Sequence, residues 1–170
     1  IKSVCQKVIR PVDLTYDAHG IRSMQTFKEE ITHFVWDGNV PLHEWISIVD
    51  ETISFVNDKG EKELKTPENL TTWIFEDGTF VPMAKLQNGK SYSIITDHLG
   101  TPTEAYDEEG EKVWSQQLNI YGEIRNETGF ENFIPYLYQG QYLDSETNLA
   151  YNRFRYYSPE RGTYLSQDPI

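Results

Sequence analysis

The sequence predicts a mostly all-β fold: successive antiparallel hairpins laid side by side in one curling sheet, with at most one short helix. Three observations predict it. Acidic-glycine turns recur along the chain, as in YDAHG (16–20), WDGN (36–39), NDKG (57–60), EDG (76–78), QNG (87–89) and YDEEG (106–110). The runs between them are short, rich in Thr, Val, Ile, Tyr and Trp, and several alternate with period two. Helical signals are scarce.

Each element follows from its residues. THFVW (32–36), TTWIF (71–75), KSYSIIT (90–96) and KVWSQQLNIYG (112–122) read as strands. At each turn Asp or Asn bonds nearby backbone N–H groups, and Gly or Asn closes the turn where φ is positive. PLHEWISIVDETISF (41–55) is the one candidate helix, because Leu42, Trp45, Ile46 and Val49 recur at i, i+3, i+4 and i+7. Its β-branched content also suits a strand. NDKGEKELKTPEN (57–69) is charged, carries Pro67 and reads as an exposed, mobile loop. DSETN (144–148) and SPERG (158–162) are the last turns. A strand through 151–157 would put Tyr151, Arg153, Arg155 and Tyr157 on one face. The turn spacing is irregular, which argues against a propeller or solenoid. No Pro/Ser linker divides the chain.

Composition narrows the function. The chain has 170 residues, 38% hydrophobic and 14% aromatic, which suits a folded core rather than disorder. The formal net charge is −12, which disfavours a nucleic-acid binder and an anionic membrane surface. No apolar run reaches the length of a membrane span. Cys5 is the one cysteine, so no internal disulfide and no cysteine metal cluster is possible. The Ile1 start and the stop at Asp168-Pro169-Ile170 read as cut ends of a longer chain.

The turns carry a resemblance. YDAHGIR (16–22) resembles the tyrosine-aspartate unit of the Rhs, or YD-repeat, family of bacterial polymorphic toxins. FVWDGNVPLHEW (34–45) and WIFEDGTFVPMAKL (73–86) resemble the strands leading into that family's core. TDHLGTPTEAYDEEGEKVW (96–114) resembles its most diagnostic stretch, and YQGQYLDSETNLAYNRFRYYSPERGTYLSQDPI (138–170) the end of its Rhs-repeat-associated core domain. The resemblance implies a YD-repeat sheet forming part of a β-shell around a C-terminal toxin domain. It places terminal YD-repeat-like hairpins and the charged loop in 1–66 and the core segment in 67–170. It implies bacterial origin and export or cell-surface delivery by secretion machinery. The expected partners are the rest of the shell, the toxin domain and, as a further candidate, an immunity protein.

The resemblance also singles out Asp168, since members of the family cut themselves near the end of the core in an aspartyl-protease-like manner. That chemistry needs two carboxylates, one ionised and one protonated. Asp168 is one matched acid, and a plain Asp-Pro turn is its other reading. Arg153, Arg155 and Arg161 are candidate supports of the cleavage region. Their alternative is cross-strand cation–π contact and ion pairing with Asp144, Glu146 or Glu160. Asp97 and His98 are too few for a metal centre, and His19, His33 and His43 add no ligand spacing. That segment reads as a tight turn set by Gly100 and Pro102. No cofactor and no metal is expected. GxSxG, HExxH, P-loop and GxGxxG motifs are absent. Three hypotheses result: a structural shell segment, a self-cleaving element completed by a downstream acid, and a module that binds an effector or immunity protein.

Overall fold

The computed structural model describes residues 12–48, 54–56, 62–64, 67, 69–138 and 140–167. None of them is helical. The strands are β1 (Val12–Tyr16), β2 (Arg22–Phe27), β3 (Glu30–Asp37), β4 (Val40–Ile48), β5 (Ser54–Val56), β6 (Lys62–Leu64), β7 (Thr71–Phe75) and β8 (Pro82–Gln87). They continue with β9 (Lys90–Thr96), β10 (Pro102–Tyr106), β11 (Lys112–Leu118), β12 (Ile124–Gly129), β13 (Tyr142–Asp144), β14 (Leu149–Asn152), β15 (Arg155–Ser158) and β16 (Thr163–Tyr164).

Ten of these form one antiparallel sheet in the order β1-β2-β3-β4-β7-β8-β9-β10-β11-β12. Neighbours in sequence are neighbours in space, as short turns require. The β5-β6 hairpin is set into the connection between β4 and β7. The last four strands make a separate sheet, β13-β14-β15-β16.

The turn chemistry repeats atom for atom. Asp17 Oδ1 accepts the N–H of His19 and Ile21 at 2.8 and 2.9 Å. Asp97 does the same for Leu99 and Thr101, and Asp107 for Glu109 and Glu111. Asn119 replaces Asp at the fourth such turn and accepts from Tyr121 and Glu123 through its amide oxygen. The carboxylate of the YD unit is therefore a turn cap, not a reactive group. Gly110 closes its turn at φ +82°, a conformation costly for any residue with a Cβ.

Beyond these turns the ladder slips by one residue. Tyr16 pairs with Arg22 while Thr15 pairs with Met24, and equivalent slips follow at Phe75–Pro82, Tyr106–Lys112 and Leu118–Ile124. Such bulges bend a strand and increase its twist. Here the bulge also brings Arg22 and Gln25 to the same face, where their side chains bond at 2.9 Å.

That face is the covered one. Trp73, Ile94, Ala105 and Trp114 of the large sheet pack with Phe133, Ile134 and Tyr136 of the segment after β12. Trp73 meets Tyr136 edge-to-face at 4.9 Å, a geometry worth about 0.5–1.5 kcal/mol beyond area burial. Residues 130–167 thus form a lid over one face of the ten-stranded sheet.

Of the two readings of 41–55, strand holds over Pro41 to Ile48, because β4 pairs with β3 from Asp37–Val40 to Glu30–Ile48 and β-branched residues suit that ladder; Val49 lies outside the described residues. Three sequence expectations are corrected. The run 112–122 is strand only to Leu118, because Asn119 caps a turn there. Within 57–69, Lys62–Leu64 is a strand paired with Ser54–Val56, and most of the remainder lies outside the described residues. Residues 151–157 are not one strand. Arg153 has φ +58° and turns the chain between β14 and β15, so its side chain is out of phase with Arg155.

Candidate functional site

The site is the polar layer sealed between lid and sheet. Arg22 enters from β2 at a position that three other hairpins fill with proline: Pro41, Pro82 and Pro102. Its side chain is fully buried. Nη1 donates to both oxygens of Asp144 in β13, at 2.7 and 2.6 Å, and to Gln25 Oε1. Gln25 in turn donates to Glu146 Oε2 at 2.9 Å. The guanidinium lies over the rings of Tyr151, Phe34 and Tyr142, at 4.5 to 5.5 Å from their centroids. Its Nε and Nη2 have no acceptor and face this aromatic surround. The Arg22 N–H donates to the Tyr151 hydroxyl, and Trp36 Nε1 donates to the Arg22 carbonyl at 2.6 Å. Burial works against the Arg22 charge, but Asp144 outweighs it and holds the guanidinium above its ordinary value. Burial likewise lifts the Asp144 carboxyl, with Arg22 opposing.

A second polar contact lies alongside. The Tyr142 hydroxyl donates to Glu44 Oε2 at 2.8 Å. Burial raises the Glu44 carboxyl above the usual glutamate range, and Tyr142 and Lys85 oppose this. Lys85 Nζ donates to the Phe133 carbonyl at 2.8 Å and sits 3.9 Å from the Phe133 ring centroid. Burial lowers this amine to about 8, with Glu44 opposing. A cavity of about 250 Å³ runs between the layers, lined among others by Glu44, Lys85, Asp144 and Glu146. In this arrangement every one of these charged groups is engaged in holding lid to sheet.

The sequence-predicted site residues fall elsewhere. Asp168 lies outside the described residues, as does Cys5. Arg155 stacks on Tyr164 at 3.7 Å, and Arg153 lies over Phe154 at 4.7 Å. Arg161 is exposed in the turn before β16, its N–H donating to Ser158 Oγ. Asp144 was an expected partner for these arginines; its partner is Arg22. Asp97 caps its turn. His33 bonds Ser47 and His43 bonds Thr72, so the histidines serve separate ladders. Sequence reasoning did not single out Arg22, Glu44 or Lys85. One signal for Arg22 was available: the YD unit reads GIR where three other turns read NVP, FVP and GTP.

Residues 62–169 match the family model described as the teneurin YD-shell. The chain belongs to the YD-shell family, the family of the Rhs and YD-repeat proteins. This YD-shell segment is 28% identical over 166 residues to double-stranded DNA deaminase toxin A of Burkholderia cenocepacia, covering 95% of the chain and 11% of that protein. It is 26% identical over 147 residues to the probable deoxyribonuclease RhsB of Dickeya dadantii, covering 84% of the chain and 9% of that protein. Its fold matches the Photorhabdus luminescens Tc holotoxin pore with a TM-score of 0.67 at 15% identity, over 98% of the chain and 8% of the matched one. The segment therefore spans about a tenth of the length of these two curated relatives. It is a structural segment of a YD shell.

Proposed function

We propose that this segment closes one end of a shell that encloses a C-terminal toxin domain in competition between bacteria. The observation that carries the reading is the lid: residues 130–167 fold back over the sheet and are held there by buried and partly buried charged groups. A surface built to be sealed suits enclosure. In this reading residues 1–66 are terminal YD hairpins leading into the core segment 67–170. The parent protein is exported, its cargo is the domain that follows, and an immunity protein is a partner of that domain. The test is limited proteolysis of the parent toxin. Asp144→Ala, which weakens the lid, is expected to expose the enclosed domain to protease. Unchanged protection in a variant whose lid has demonstrably loosened would sink the proposal.

A second reading has one supporting contact. Arg155 packs on Tyr164, in the last strand before Asp168. We propose that Arg155, with Arg153 and Arg161 nearby in sequence, positions that terminal segment for self-cleavage in which Asp168 is one of two carboxylates. Asp168→Asn in the parent protein is expected to stop cleavage, read by mass spectrometry of the intact product. Cleavage at an unchanged rate removes Asp168 from the mechanism.

A further inference from the structure

We infer that the Arg22–Asp144 pair selects where on the repeating sheet the lid docks. The inference rests on the fold alone and holds whatever the shell encloses. A meander of similar hairpins poses a registry problem. Each offers the lid nearly the same surface: a partly buried residue before the turn and a buried one after the bulge. Trp36 with Pro41, Phe75 with Pro82 and Thr96 with Pro102 are three such places. Apolar contact is non-directional and discriminates weakly between them.

The other polar contacts carry little identity. Lys85 and Gln116 donate to the backbone carbonyls of Phe133 and Tyr136, and any lid segment presents carbonyls. Glu44 accepts from Tyr142, but the lid is rich in tyrosine: Tyr136, Tyr138, Tyr151, Tyr156 and Tyr157 are alternatives. Asp144 differs. Among the described residues of the lid it is the one buried acid. Arg22 differs likewise: at the equivalent positions of the other hairpins the only charge is Lys112, which is exposed. A lid shifted by one hairpin would set Asp144 against Pro41, with no cation to meet it, and would part Arg22 from its anion, whereas the observed docking pairs them at 2.6 Å. Buried polar pairs are poor sources of net stability, and fixing register is their best-attested use.

The experiment measures the lid's position directly. Cys5→Ser removes the native thiol, and His19→Cys on the first turn with Glu160→Cys on the lid accept spin labels. Electron–electron distance measurement in otherwise unaltered protein is expected to give one narrow distribution. Arg22→Met with Asp144→Leu keeps an apolar contact and removes the key. That pair is expected to unfold cooperatively yet give a broadened or multiple distribution, with displacements of about 10 Å, two strand spacings. A single narrow distribution at the original distance overturns the inference. If that variant fails to fold, Arg22→Pro with Asp144→Leu is read instead, since it places at residue 22 the side chain three other hairpins use. Failure of both to fold also overturns it, because the pair would then supply stability rather than choice.

Discussion

Arg22 and Asp144 stand 122 residues apart in sequence and 2.6 Å apart in space. They join the first described hairpin of the large sheet to the first strand of the lid. Removing one partner strands the other charge among aromatic rings. Asp144→Ala is expected to cost about 3–5 kcal/mol in urea unfolding, the range for breaking one side of a buried pair. Replacing both partners by apolar residues should cost markedly less.

Lys85 gives the chain a pH dependence. Its folded-state value is about 8, below the ordinary lysine value of 10.5. Between those values the folded state binds fewer protons than the unfolded state, so stability rises with pH through that window. Full charging below pH 8 costs on the order of 3 kcal/mol, at about 1.4 kcal/mol per unit of displacement. Lys85→Met should flatten the rise between pH 8 and 10, read from urea midpoints at successive pH values. Glu44 acts in the opposite sense at lower pH: burial raises it, so its contribution falls as pH climbs above the ordinary glutamate value.

The turn carboxylates should tolerate loss of charge but not loss of the oxygen. Asp107→Ala removes the acceptor for two backbone N–H groups and is expected to cost about 1–2 kcal/mol. Asp107→Asn should cost less, because Asn119 already performs the same task at the next turn. Thermal unfolding of the two variants compares them directly.

Two glycines separate conformational cost from collision. Gly110 has φ +82° with nothing within 4 Å of an added Cβ, so Gly110→Ala should cost about 1–2 kcal/mol of backbone strain alone. Gly129 has φ +90°, and a Cβ there would lie 1.9 Å from the Val113 carbonyl oxygen. Gly129→Ala must therefore displace β11 from β12 and should cost clearly more than Gly110→Ala. Hydrogen exchange should show loss of protection centred on β11 and β12.

Much of the sheet was legible because its causes are local. A period-two run between two Asp-Gly turns can do little but pair with its neighbour. The strands read at 71–75 and 90–96 came out with those bounds, that at 32–36 extends to 30–37, and the run 112–122 is strand only to Leu118, where Asn119 opens a turn. The helical spacing in 41–55 misled because Leu42, Trp45 and Ile46 also fit a half-buried strand, and pairing with β3 decided the matter. The arginine face of 151–157 failed because a positive φ at Arg153 breaks the alternation, and no glycine marked the break.

The sequence by itself determined most of the hairpins and their capped turns, since each depends on residues near one another in the chain; the pairing of β4 with β7, His43 against Thr72, is longer in range. The tertiary structure alone decided which residues became the buried polar layer. Arg22, Glu44, Lys85 and Asp144 look like ordinary surface charges along the chain. Arg22, Lys85 and Asp144 are buried, and Glu44 partly so, because the lid returns over the sheet, and contacts spanning 48 to 122 residues leave no periodic trace in the sequence.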